Sequence, residues 1–221
     1  MKKFSKSLNS LGPASNKERK HVNIYRYILE MHLYKNYLFK PQNVKLYSEQ
    51  DFIVKFWSYV FEEAFSNSGL CLHWGDTMPA RAKKNEKIEM KVDLRILYCS
   101  NTKRSDLGVG EFAKKAIPSK LYYDKLKQVT ITKYHLNTLL LSGLPPSAAL
   151  IPIVQIMGFE CHLFVLKKIE DFYVLETIDV ITFPTTYKAI QDNGIKNLIS
   201  CLEKAKVKYL ASILQSSVYS V

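Results

Sequence analysis

The 221-residue chain has no apolar run long enough to span a membrane. Its most apolar stretch, 144–153, is broken by three prolines, whereas a spanning helix needs about 18–20 apolar residues in a row. The N-terminus, Met1-Lys-Lys-Phe-Ser-Lys6, lacks the apolar segment of about 7–15 residues that a secretory signal carries. An intracellular location, nuclear or cytoplasmic, is therefore expected. Glycine and proline are sparse at 8 each, which excludes collagenous and low-complexity chains. The four cysteines, Cys71, Cys99, Cys161 and Cys201, form no C-x-x-C pair and no compact Cys/His cluster. That spacing excludes a zinc finger and reads as buried, reduced thiols. No G-x-x-x-x-G-K-[ST] phosphate loop, no G-x-S-x-G elbow and no internal repeat is present. Acid is in deficit: 20 Asp+Glu face 32 Lys+Arg, giving a net charge of +12. The excess points to an anionic partner, with nucleic acid first and an acidic membrane surface second, DNA and RNA being equally compatible.

A core, by contrast, is well provided for, since 47% of the residues are hydrophobic and 12% aromatic. Residues 1–20 carry six basic groups and one acid and read as a flexible basic arm. Residues 21–44 read as a helix and linker, with Ile24, Ile28 and Leu29 at helical spacing and Pro41 as the stop. Residues 45–221 form one α/β domain. Its first helix spans about 49–66, with Ser48 as N-cap, Asp51 in the reciprocal position, and Asn67-Ser68-Gly69 as the stop.

The strongest strand is Lys87–Cys99. Ile88, Met90, Val92, Leu94, Ile96 and Tyr98 alternate with Glu89, Lys91, Asp93 and Arg95. A shorter strand at Leu70–Trp74 precedes it. Asp106–Lys114 follows, with Gly108 and Gly110 letting its backbone be approached closely. A helix from Pro118 to Leu140, a loop over 142–149, strands at 151–158, 161–168 and 172–181, and a helix over 187–214 complete the order. The class is α/β, a mixed central sheet flanked by helices.

Three carboxylates invite a metal. Asp93 stands on the polar face of the long strand, and Glu111 lies on the next strand among Val109, Phe112 and Ala113. Buried carboxylates are costly without a cation, and two on adjacent strands suit Mg²⁺. Glu49, on the inward face of its helix's first turn, is the third candidate ligand. Lys114 or Lys115 is placed to activate a water or stabilise a transition state. Residues 81–127 hold 13 Lys+Arg against 6 acids, while 134–166 hold no Lys or Arg. Lys103, Arg104, Lys114, Lys115, Lys120, Lys125 and Lys127 read as a phosphate track, with Tyr122 and Tyr123 as stacking groups. Gln155 reads as a core amide paired to backbone.

The order helix with an acid, strand, strand with Asp93, strand with Glu111 and a following lysine, helix, strand resembles the PD-(D/E)XK nuclease superfamily. The motif residues are Asp93 in Lys91-Val-Asp-Leu-Arg-Ile96, and Glu111 and Lys114 in Gly110-Glu-Phe-Ala-Lys-Lys115. The likeness covers about residues 45–185. It implies a restriction-endonuclease-like core with N- and C-terminal helical additions, and Mg²⁺-dependent hydrolysis of nucleic-acid phosphodiesters. Asp93 and Glu111 would be ligands and Lys114 the activator. Where the family's lysine stands, two residues after the acid, this chain has Ala113. That departure motivates the alternative of a catalytically inert nucleic-acid-binding or protein-interaction domain that retains the fold. Segments including Ser48-Glu-Gln-Asp-Phe52 and Gln155-Ile-Met-Gly-Phe-Glu-Cys-His162 are also similar to a set of fungal proteins, a likeness that implies no activity.

Overall fold

A computed structural model describes residues 16–77, 90–99, 104–141, 143–147 and 149–218. Helices are α1 (Asn16–Tyr34), α2 (Pro41–Val44), α3 (Glu49–Phe52), α4 (Ser58–Phe65), α5 (Pro118–Leu141), α6 (Tyr187–Gln191) and α7 (Gly194–Val218). Strands are β1 (Leu70–Thr77), β2 (Val92–Cys99), β3 (Arg104–Ala113), β4 (Leu150–Met157), β5 (Glu160–Ile169) and β6 (Phe172–Thr182). They form one sheet in the order β1-β2-β3-β4-β5-β6. All neighbours are antiparallel except β3 and β4, which run parallel. The mixed α/β architecture expected from the sequence is present.

Several expected boundaries move. Asn16–Lys20 of the expected basic arm are the first turns of α1, while residues 1–15 lie outside the described residues. The long strand begins at Val92, because Met90 and Lys91 are not in strand and 87–89 lie outside the described residues. Pro41 starts the short helix α2 rather than ending one, its missing N–H being harmless at a first helical position. The C-terminal helix is two helices, broken where Asn193 takes a φ of +65°. Three of the four cysteines lie in strands, and Cys71 is exposed rather than buried.

Between α3 and α4 the helix widens into a π turn at Ile53–Trp57. The expected capping box at its start is present. Asp51 N–H donates to Ser48 Oγ at 3.1 Å, and Ser48 N–H donates to Asp51 Oδ2 at 2.8 Å. The expected stop is present too, with Asn67 and Gly69 both at positive φ.

One face of the sheet packs on α1, α3, α4 and α7 around Phe56, Trp57, Phe61, Leu94, Ile96 and Tyr209. The other face carries α5, with Leu136 over Ile151, Ile153 and Phe164, and Ile131 over Val92 and Val109. β4 lies between these layers, and Ile151–Met157 are all buried. A strand buried on both faces has no room for charge, which accounts for the part of the lysine- and arginine-free stretch that lies in β4.

Pro152 sits in this interior strand without an N–H to donate. The β3–β4 pairing begins one residue beyond it, at Val109↔Ile153, and Tyr209 Oη donates to the Pro152 carbonyl at 3.0 Å. Tyr209 reaches it because Gly108 has no side chain; a Cβ there would lie 2.5 Å from the tyrosine ring. The glycines serve close approach, of an internal tyrosine at Gly108 and of Leu94 at Gly110.

Gly108→Ala should therefore cost about 1–3 kcal/mol by overpacking. Urea titration will read it, and the cost should shrink when Tyr209→Leu is already in place. Asp51→Ala should cost about 1 kcal/mol at neutral pH through loss of the cap. Lys55 and the Ser48 hydrogen bonds hold the Asp51 carboxyl down to about 2, below its ordinary 3.8. A depressed acid stabilises the fold above its unfolded pKa and loses that contribution as the pH falls through the folded one. Variant and wild type should converge near pH 2 in urea titrations run as a pH series.

Candidate functional site

The site is built where β2 and β3 part. Their pairing runs to Leu94↔Gly110. One residue further, the Asp93 carboxylate takes over from the backbone: Phe112 N–H donates to Asp93 Oδ2 at 2.8 Å. Glu111, immediately before Phe112, lies alongside Gln155 of β4 in the parallel register and is only 2% exposed. Gln155 is buried and donates from Nε2 to the Leu121 carbonyl at 3.4 Å. It is the backbone-paired core amide expected from the sequence.

α5 supplies the opposite wall. Its residues Lys120, Asp124 and Lys127 recur at three- and four-residue spacing and so share one stripe. Lys127 Nζ lies 2.7 Å from Glu111 Oε2, with the lysine side chain 28% exposed and the glutamate side chain 3%. Lys120 pairs with Glu49 at the start of α3, linking the two helices across the site. The next residue of α5, Gln128, is fully buried and donates to the Val154 carbonyl at 2.6 Å, fixing the helix on β4.

The electrostatics follow from this burial. Desolvation pushes the Glu111 carboxyl up to about 8; Lys127 opposes the rise, and Asp93 and Asp124 add to it. Burial also raises Asp93, against the Phe112 N–H and with help from Glu49. Asp124 is raised by burial, with Lys120 and Lys127 opposing and Asp93 adding. Glu111 Oε1 and Asp124 Oδ2 are buried without a hydrogen-bond partner. A cluster of carboxylates thus shares a low-dielectric space with two lysines.

The expected residues fare unequally. Asp93 is near enough to act electrostatically on Glu111, and Glu49, paired with Lys120, acts on Asp93. Lys114 is not the cation of the site. β3 ends at Ala113, and Lys114 Nζ donates to the Lys45 carbonyl at 2.9 Å. The cation on Glu111 is Lys127, which the sequence reading had assigned to the phosphate track.

Most of that track is otherwise engaged. Lys120 binds Glu49, Lys127 binds Glu111, and Lys125 Nζ lies 4.3 Å from the centre of the Phe164 ring. Lys115 is exposed, as are Tyr122 and Tyr123, whose rings meet edge to face at 5.8 Å. Lys103 and the Arg104 side chain lie outside the described residues. Asp124 was missed, although its spacing from Lys120 and Lys127 was a usable signal: three charged residues on the stripe of a helix that also carries the inward-facing Gln128.

No family model matches the chain, and neither a curated protein nor a solved structure does. Among the described residues no helix is long and apolar enough to cross a membrane. Nor do three His, Cys, Asp or Glu side chains among them form a group able to hold one metal ion.

Glu111 makes the site measurable without a ligand. Its folded pKa lies above its unfolded value, so between 4.5 and about 8 the folded chain holds a proton that the unfolded chain has released. Stability therefore falls as the pH rises through that window. Glu111→Gln removes the titration and should gain about 3 kcal/mol relative to wild type between pH 5 and pH 8. Urea unfolding in chelator-treated buffer reads this directly; parallel pH profiles would refute it.

Proposed function

We propose that the chain is a nuclease-like α/β domain of the PD-(D/E)XK kind, hydrolysing nucleic-acid phosphodiesters with Mg²⁺, and that its active-site lysine comes from α5. The observation that carries this reading is the buried Glu111–Lys127 pair beside Asp93, where β2 and β3 part. The element order supports it: α3 and α4, β1, β2, β3, α5, β4 is the order the resemblance calls for. The contact of Lys127 with Glu111 from the neighbouring helix supports the reading alongside Ala113 at the strand position.

In this reading two carboxylates supply the donors for Mg²⁺. Its ligands would be the oxygens of Asp93 and Glu111, and Glu111 offers a buried Oε1 with no hydrogen-bond partner. Mg²⁺ is commonly held by one or two carboxylates with waters and substrate phosphate completing the shell, so a third acid is not required. Bound there, the ion supplies Lewis-acid polarisation of a phosphoryl oxygen and a water of lowered pKa. Lys127 contributes an ammonium to balance the charge that develops on the phosphoryl oxygens. Asp93 is held by the Phe112 N–H, and so presents its carboxylate in one orientation. Lys115, Tyr122 and Tyr123, exposed near the start of α5, would meet the phosphates and bases of a strand.

A second reading has its own observation. Lys127 already pairs with Glu111, and among the described residues no three His, Cys, Asp or Glu side chains form a group able to hold a metal ion, which suits an inert domain that binds nucleic acid or a protein.

Incubation of the full chain with single-stranded and duplex DNA and RNA, with and without Mg²⁺, separates the readings. The nuclease reading expects Mg²⁺-dependent cleavage, lowered at least about 100-fold by Asp93→Asn, Glu111→Gln or Lys127→Met. Lys114→Met should leave the rate unchanged. Salt-dependent binding without cleavage, surviving Asp93→Asn, supports the inert binding domain. Neither binding nor cleavage leaves a protein-interaction domain.

A further inference from the structure

The chain between α1 and α3 meets the chain between β3 and α5. Lys114 Nζ donates to the Lys45 carbonyl at 2.9 Å, which holds the end of β3 against the turn after α2. Residues 31–48 contain three lysines and no Asp or Glu, and residues 112–123 repeat that composition. The acids that follow the first segment are engaged, Glu49 with Lys120 and Asp51 with Lys55. Lys40, Lys45 and Lys115 are exposed. A cationic surface without acids attracts a polyanion, which releases its counterions on binding.

The same two segments expose tyrosine rings. Tyr37 is 52% exposed, Tyr122 65% and Tyr123 68%. Asn43 Nδ2 donates to the Tyr37 carbonyl at 2.7 Å and fixes the backbone that carries that ring. Only Leu46 and Ile117 are exposed large aliphatic side chains in these segments. Rings with hydroxyls, rather than a continuous aliphatic patch, favour bases over lipid. In a duplex the bases stack on one another, whereas an unpaired base offers its face to a tyrosine. Lys120 lies one helical turn before Tyr123 and pairs with Glu49, so this surface borders the carboxylate cluster.

We propose that this surface is a platform for single-stranded nucleic acid, with Lys40, Lys45 and Lys115 on phosphates and Tyr37, Tyr122 and Tyr123 stacked on unpaired bases. The proposal rests on the nucleic-acid reading above and narrows its ligand to strands with unpaired bases. Binding there needs no metal.

The test is fluorescence anisotropy of the full chain in chelator-treated buffer, with labelled oligo(dT), oligo(U) and a duplex, each of about 12 nucleotides per strand. Either single strand should bind at least about tenfold more tightly than the duplex. Tyr122→Ala with Tyr123→Ala should weaken single-strand binding about tenfold or more, and Tyr37→Ala about fivefold, while the corresponding Phe variants retain it. Lys45→Gln and Lys115→Gln should each lower the slope of log affinity on log salt by about 0.7. Melting curves of each variant establish that it is folded. Equal affinity for duplex and single strand, or alanine variants that bind like wild type, overturns the platform and leaves the nucleic-acid reading standing. Single-strand binding of this kind without cleavage in Mg²⁺ keeps the platform and removes the nuclease reading. Sedimentation with phosphatidylserine vesicles, without binding to any oligonucleotide, assigns the surface to a membrane and overturns both.

Discussion

β3 and β4 are adjacent and parallel, and that single fact organises the molecule. Parallel neighbours cannot be joined by a hairpin, so the chain must leave the end of β3, cross the sheet and return to the start of β4. α5 is that crossing. It lies over β3, β4 and β5, and its buried stripe is set by what those strands present. Where the strands present Ile151, Ile153 and Phe164, the helix answers with Leu136. Where β3 presents Glu111, the answer is Lys127. The site is thus a by-product of packing geometry: a carboxyl under a crossover helix must be met by a cation from that helix, keep its proton, or be left uncompensated.

The end of β3 is equally constrained. Gly158 turns the chain out of β4 with φ +58°, and its N–H donates to the Ala113 carbonyl at 2.8 Å. Its own carbonyl accepts from Trp57 Nε1 at 2.8 Å, so the π turn between α3 and α4 is joined to the same point. A Cβ on residue 158 would meet the Lys114 carbonyl at 3.1 Å. These contacts stop β3 at Ala113 and carry Lys114 away toward Lys45. A lysine two positions after Glu111 would have remained on the strand. One position later the chain has already left it.

The elements with strong local signals were legible in the sequence. Period-two alternation marked β2, although the strand itself begins only at Val92, and Ser48 with Asp51 marked the start of α3. The β5–β6 hairpin followed from its apolar runs, with Glu170 taking the positive φ of the turn. Glu111 drew attention as a carboxylate among apolar neighbours, and Asp93 as the acid on the polar face of the alternating strand. The charged residues of α5 were harder to read. Lys120, Lys125 and Lys127 look alike as text, and only the rotation of the helix separates one that pairs with Glu49, one that covers Phe164 and one that neutralises Glu111. Local composition treats them as a basic stretch, and tertiary contact divides them.

The same division changes the meaning of the +12 charge. The concentration of lysines before residue 128 arises partly because 150–157 is a strand buried on both faces, from which charge is excluded. Of the remaining cations near the site, those with defined partners are spent on internal carboxylates, a ring or a carbonyl. The positive charge that this face turns to solvent therefore rests on exposed groups such as Lys115, and is smaller than the count of lysines in the sequence suggests.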